Sequence, residues 1–145
     1  MLTVKQLREI AIERIRDAEA LFNAERYDGS IYICGYAVEV ALKGRICRTL
    51  RWPDYPQTNR DWNQNKKFNQ FKTHSLSFLL SFTGREDQIK TRHRAEWDLI
   101  DVWDPNSRYK PTSVSGRATK SAAQAKLRAD ARQMIDSAKI LLKAL

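Results

Sequence analysis

Little in this sequence can build a disulfide, a metal site or a membrane span. Cysteine and histidine occur only twice each in 145 residues. Cys34 and Cys47 fall in one expected helix, whose rise would separate them by about 20 Å. A disulfide requires Cα atoms within about 7 Å, so the pair is expected to stay reduced and to pack as small apolar residues. Two histidines and two cysteines at these separations match no zinc spacing, so neither metal nor cofactor is expected. No apolar run approaches the roughly 20 residues that cross a bilayer, which leaves a membrane out of the expected partners. The opening "MLTVKQLREI" lacks the apolar stretch and small-residue cleavage site of a secretory signal. Both features suggest a cytoplasmic protein. No P-loop, dinucleotide fingerprint or nucleophile elbow is present.

Acidic residues are also scarce, and unevenly so. The formal net charge is +9. Residues 1–54 are nearly balanced, with nine Lys/Arg against eight Asp/Glu. Residues 55–95 carry eight against three, and residues 105–145 carry nine against two. The intervening cluster Glu96, Asp98, Asp101 and Asp104 is acidic. A basic surface of this kind attracts polyanions, with salt-sensitive affinity, and equally well keeps a protein soluble.

The chain length suits one domain with a real core. Thr3 followed by Gln6 has the pattern of a capping box. Val4, Leu7, Ala11, Ile15, Ala18 and Phe22 then form one apolar stripe, predicting a helix that ends near Asn23. "ERYDGS" reads as a turn, with Asp28, Gly29 and Ser30 as turn and capping residues. The second helix, from about Ser30 to Leu50, is apolar on nearly every side, as expected at the centre of a bundle. Its Gly35 and Gly44 each cost about 1 kcal/mol of helix propensity, which close approach of a neighbour would offset. Gly44 could instead mark a bend.

Residues 51–72, rich in turn formers and broken by two prolines, read as a long connection. "THSLSFLLSFTG" reads as a short apolar helix capped by Thr73 and stopped by Gly84. "REDQIKTRHRAEWDLIDVW" reads as a fourth helix with Ile89, Trp97 and Ile100 inward. "DPNSRYKPTSVSG" reads as a second loop, and a last helix runs from about Ala118 to the end. No segment alternates with a period of two. The expected fold is all-α: an antiparallel bundle of about five helices with two long loops.

Several of these segments are familiar together. "ERYDGSIYICGYAVEVALKGRI" resembles the first helical hairpin of HEPN domains, and "THSLSFLL" resembles their His-x-Leu-x-x-Leu segment. "RYKP" and the Lys/Arg-studded last helix are in keeping. The resemblance implies that residues 1–145 form a single HEPN-like helical domain that homodimerises. It implies RNA, nucleotide or protein binding, and a setting beside a nucleotidyltransferase partner or within a toxin–antitoxin or defence gene pair. Many HEPN proteins are metal-independent ribonucleases that use an Arg, four to six residues and then a His. Here His93 has no Arg at that spacing, and His74 is preceded at that spacing by Lys67, whose point charge does not reproduce the planar Arg fork. The chain therefore reads first as a binding module without the standard motif. An atypical ribonuclease using catalytic His74 with Lys67 or Arg108, and a non-catalytic dimeric scaffold whose basic face meets an acidic partner, are the alternatives.

Glu39 is the focal residue, because an unpaired carboxylate inside a buried helix would be very costly. Lys43, four residues on, is placed to neutralise it. Glu39 is thus either a structural acid, paired with Lys43 or a group from a facing helix, or one wall of a pocket with Lys43 and His74. His74 itself suits a cap, a pocket lining or a general acid–base. Candidate phosphate-binding cations are Lys66 and Lys67 in the first loop, and Arg108, Lys110 and Arg117 around the second. The first-loop aromatics Trp52, Tyr55, Trp62, Phe68 and Phe71 either stack bases or pin the loop to the bundle.

Overall fold

The computed structural model describes the backbone of residues 1–109 and 117–145, and the side chains of residues 1–107 and 120–145. Helix α1 spans Val4–Asn23. The Thr3 hydroxyl accepts a bond from the Gln6 amide at 3.2 Å, and the Gln6 side chain accepts one from the Thr3 amide at 3.0 Å. This expected capping box satisfies two amides that a helix start otherwise leaves without partners. Leu7, Ala11, Ile15 and Ala18 form the buried stripe.

Helix α2 spans Tyr27–Leu50 and starts earlier than the turn chemistry of "ERYDGS" suggested. The reversal is confined to Ala24, Glu25 and Arg26, with Glu25 in the left-handed region at φ 60°. Asp28, Gly29 and Ser30 lie inside the first helical turns. Ser30 does not cap α2; its buried hydroxyl donates to the Ala18 carbonyl of α1 at 2.8 Å, tying the hairpin together. Asp28 suits the positive end of the helix dipole. As expected from its all-round apolarity, α2 is the central rod, burying Cys34, Ala37, Val38, Leu42, Ile46 and Cys47.

The first long connection is more structured than its composition suggested. Asp54–Tyr55 (β2) pairs antiparallel with Leu2–Thr3 (β1), a ladder too short to produce a period in the sequence. Asn59–Gln64 forms α3 under a Thr58–Asp61 capping box, and Lys66–Phe71 forms a 3-10 turn. Tyr55, Trp62 and Phe71 are buried in the common core. Trp52 packs against Phe68 in a tilted contact at 4.5 Å, centroid to centroid, and the Tyr55 hydroxyl donates to the Phe71 carbonyl at 2.6 Å. These rings pin the loop to the bundle; the three buried ones present no face to a nucleic-acid base.

Helix α4 spans Leu76–Ser81, and its N-cap is Ser75, not Thr73. Gly84 ends the segment at φ 67°. The expected fourth helix is two: α5, Glu86–Arg92, and α6, Arg94–Asp101, broken at His93. Ile89 and Trp97 are both buried. In an unbroken helix, residues eight apart would be rotated by about 80°, so the break lets both face the core. Pro105–Tyr109 forms a second 3-10 turn against α2. Helix α7, Arg117–Ala144, buries Ala131, Met134, Ile135, Ala138 and Leu141. Helices α1, α2 and α7 pack on one another, with α6 against α7 and α4 against α2. The result is the expected all-α bundle, with this small two-strand ladder at one edge.

Candidate functional site

Tyr32, Tyr36, Glu39 and Lys43 recur at spacings of four, three and four, so they share one face of α2. Glu39 is only 2% exposed, yet both carboxylate oxygens are occupied. Lys43 Nζ sits 2.5 Å from Oε1, and His74 Nδ1 sits 2.9 Å from Oε2. The acid is thus paired within its own helix, as the sequence suggested, and also across the fold to His74. Its pairing offsets a burial cost that would otherwise exclude it from the core.

His74 precedes the Ser75 cap, so it is held by the chain entering α4. The Thr73 hydroxyl oxygen accepts the Ser75 amide at 3.1 Å, fixing that entry. The His74 side chain remains 57% exposed, whereas that of Lys43 is 15% exposed. Because Glu39 is ionised against the Lys43 ammonium, its oxygens can only accept hydrogen bonds. His74 Nδ1 must therefore donate. In the neutral ring this leaves Nε2 unprotonated, able to accept a proton or a hydrogen bond. No hydrogen bond to another described residue occupies Nε2.

An aromatic wall backs this dyad. The Tyr36 ring meets His74 edge-on at 6.0 Å and Trp103 at 5.0 Å. The Tyr32 hydroxyl donates to that of Tyr36 at 3.3 Å. The Trp103 indole N–H donates to the Tyr32 carbonyl at 3.1 Å, with the ring lying where a Cβ on residue 35 would be. Gly35 is thus explained by close approach. Gly44 has only an ordinary contact with Leu7 and lies within the uninterrupted α2. Lys43 also lies 5.4 Å from the Tyr55 ring centroid.

The structure therefore brings Glu39, Lys43 and His74 together, but not every expected cation. Lys66 and Lys67 are exposed on the first 3-10 turn, with Lys67 Nζ 4.9 Å from the Phe68 ring centroid. Neither bonds to Glu39, Lys43 or His74. Lys110 lies outside the described residues, as do the side chains of Arg108 and Arg117. Arg108 belongs to the turn that packs on α2. His93 sits half-buried at the α5–α6 break. Sequence reasoning missed Tyr36 and Trp103 as members of the site. The spacing of Tyr36 from Glu39 contained that signal; the position of Trp103 did not.

Cys34 and Cys47 are free and buried. Burial is the main cause that pushes their thiols up to about 12 and about 11, which keeps both protonated and unreactive near neutrality. Among the described residues, no group of three His, Cys, Asp or Glu side chains could hold a metal ion. No described helix is long and apolar enough to cross a membrane.

An all-α bundle with a buried acid holding a surface imidazole is the class that fold and site define. Residues 4–58, which form α1, α2 and the start of the loop that follows, match the family model of the HEPN domain, the same family whose first helical hairpin the sequence resembles. No curated protein and no solved structure matches the chain.

Proposed function

We propose that this HEPN-type module binds RNA or a nucleotide through phosphate at the Glu39–His74–Lys43 edge of α2. The setting would be a toxin–antitoxin or defence gene pair, and the expected associates are a second copy of the chain and a nucleotidyltransferase. The observation that carries the reading is the 2.9 Å contact between His74 Nδ1 and Glu39. It fixes the ring of an exposed histidine while leaving Nε2 available, and a protonated imidazole there donates well to a phosphate oxygen. The net charge of +9 favours approach of a polyanion.

The same contact supports a second reading, cleavage. A carboxylate-oriented imidazole is a competent general base. It would take the proton of an RNA 2′-hydroxyl as that oxygen attacks phosphorus. The bond to the 5′-oxygen would then break, giving a cyclic phosphate and a 5′-hydroxyl protonated from water. Lys67 or Arg108 is the expected cation for the developing charge.

One experiment separates the readings: labelled single-stranded RNA is mixed with the protein in a metal chelator, and anisotropy and strand integrity are both followed. Binding that weakens with salt, drops several-fold in His74→Ala and leaves the strand intact supports the module. Cleavage that vanishes in His74→Ala replaces it with the ribonuclease. Absence of binding at low salt removes both.

A further inference from the structure

A concavity lies away from His74. It is an open trough of about 710 Å³ between α1, α2, the start of α5 and the end of α7. None of Glu39, Lys43 and His74 lines it. Its apolar lining is aliphatic: Val4, Ala11, Ile12, Ile15, Leu142 and Leu145. Seven cations surround that floor: Arg8 and Arg16 from α1, Arg45 and Arg48 from α2, Arg85, and Lys139 and Lys143 from α7. No acidic side chain lines it. Arg16 and Lys139 have carboxylates elsewhere, Glu13 and Glu19. Arg8, Arg45, Arg48, Arg85 and Lys143 pair with no acidic side chain among the described residues.

We infer that this trough is a docking site for an acidic amphipathic helix of a partner protein. An aliphatic floor flanked by cations matches a helix whose apolar stripe recurs at three and four residues between Asp and Glu positions. The lining contains no aromatic side chain to stack a base and no Ser, Thr, Asn or Gln to read one. A nucleic-acid strand would leave the floor wet. Two further observations favour an anionic occupant. The buried Arg85 Nε has no hydrogen-bond partner. The Arg45 guanidinium is held below its ordinary pKa, first by burial and then by Arg85 and Arg48, a mutual repulsion that a bound carboxylate would relieve.

The test uses the whole chain and two labelled peptides of about five helical turns. One places Leu at three- and four-residue spacing among Glu; the other has the same composition shuffled so that no stripe forms. The striped peptide is expected to bind about tenfold or more tightly than the shuffled one, with affinity that falls as salt rises. Ile12→Gln and Arg48→Gln each weaken it several-fold, while His74→Ala leaves it unchanged, which keeps this site separate from the phosphate site. Ile12 is 41% exposed and Arg48 is exposed, so both variants should fold; exposed Lys143→Gln is the substitute if either does not. Equal binding of the two peptides, or none, overturns the inference. So does single-stranded RNA that binds with the same dependence on Ile12 and Arg48.

Discussion

At the residue scale, Gly35 and Gly44 of α2 are tolerated for opposite reasons. A Cβ on Gly35 would lie 2.1 Å from the Trp103 ring, whereas one on Gly44 would meet Leu7 at 3.5 Å. Gly35→Ala should therefore destabilise by about 1–3 kcal/mol through forced displacement of the indole. Gly44→Ala should be neutral, or stabilise by up to about 1 kcal/mol through helix propensity. Urea titrations of the two variants check the pair, and the same sign for both would contradict the packing described. The thiols make a second prediction at this scale. With burial holding them near 12 and 11, an aromatic disulfide reagent at neutral pH should label neither until the protein unfolds. Both should then react together in urea, and rapid labelling of the native protein would show that α2 is not enclosed.

At the element scale, helices with an unbroken stripe and a capping signal were legible in the sequence. Thr3 and Gln6 announced α1, and the all-round apolarity of 30–50 announced a central rod. The start of α2 was not, because Asp28, Gly29 and Ser30 look like turn residues whether or not they turn. Only the contact of Ser30 with Ala18 decides the matter, and it is long-range. The break at His93 has no proline or glycine to announce it; it follows from where Ile89 and Trp97 must point. The first loop was legible in its aromatics but not in their destination. That destination is testable: Tyr55→Phe removes the hydroxyl that satisfies the buried Phe71 carbonyl and should cost about 1–3 kcal/mol, read as a lower urea midpoint. An unchanged midpoint would mean that the Tyr55 hydroxyl does not tie the two ends of residues 51–72 together.

At the scale of the whole molecule, contacts between distant segments hold the bundle and create the site. Glu19 of α1 meets Arg132 and Lys139 of α7. Hydrogen bonds from Arg132 and then Lys139 lower its pKa below the ordinary 4.5. A depressed folded-state pKa means that this stabilisation is fully present above about 4.5 and fades as pH falls through the lowered value. The stability gap between the wild type and Glu19→Gln should therefore shrink as pH falls below about 4.5, measured by denaturant midpoints across the acid range. A gap independent of pH would remove the α1–α7 clasp.

The polar site has the same long-range origin. Lys43 as the partner of Glu39 was readable from helical spacing. His74, 35 positions away, was only one of several expected possibilities until the fold joined it to that acid. The most direct measurement of this central claim is the tautomer of neutral His74, read from the nitrogen chemical shifts of its ring. The proton should reside on Nδ1 in the wild type and lose that preference in Glu39→Gln. A wild-type His74 protonated on Nε2, or a spectrum indifferent to the Glu39 substitution, would contradict a buried carboxylate holding the imidazole in place.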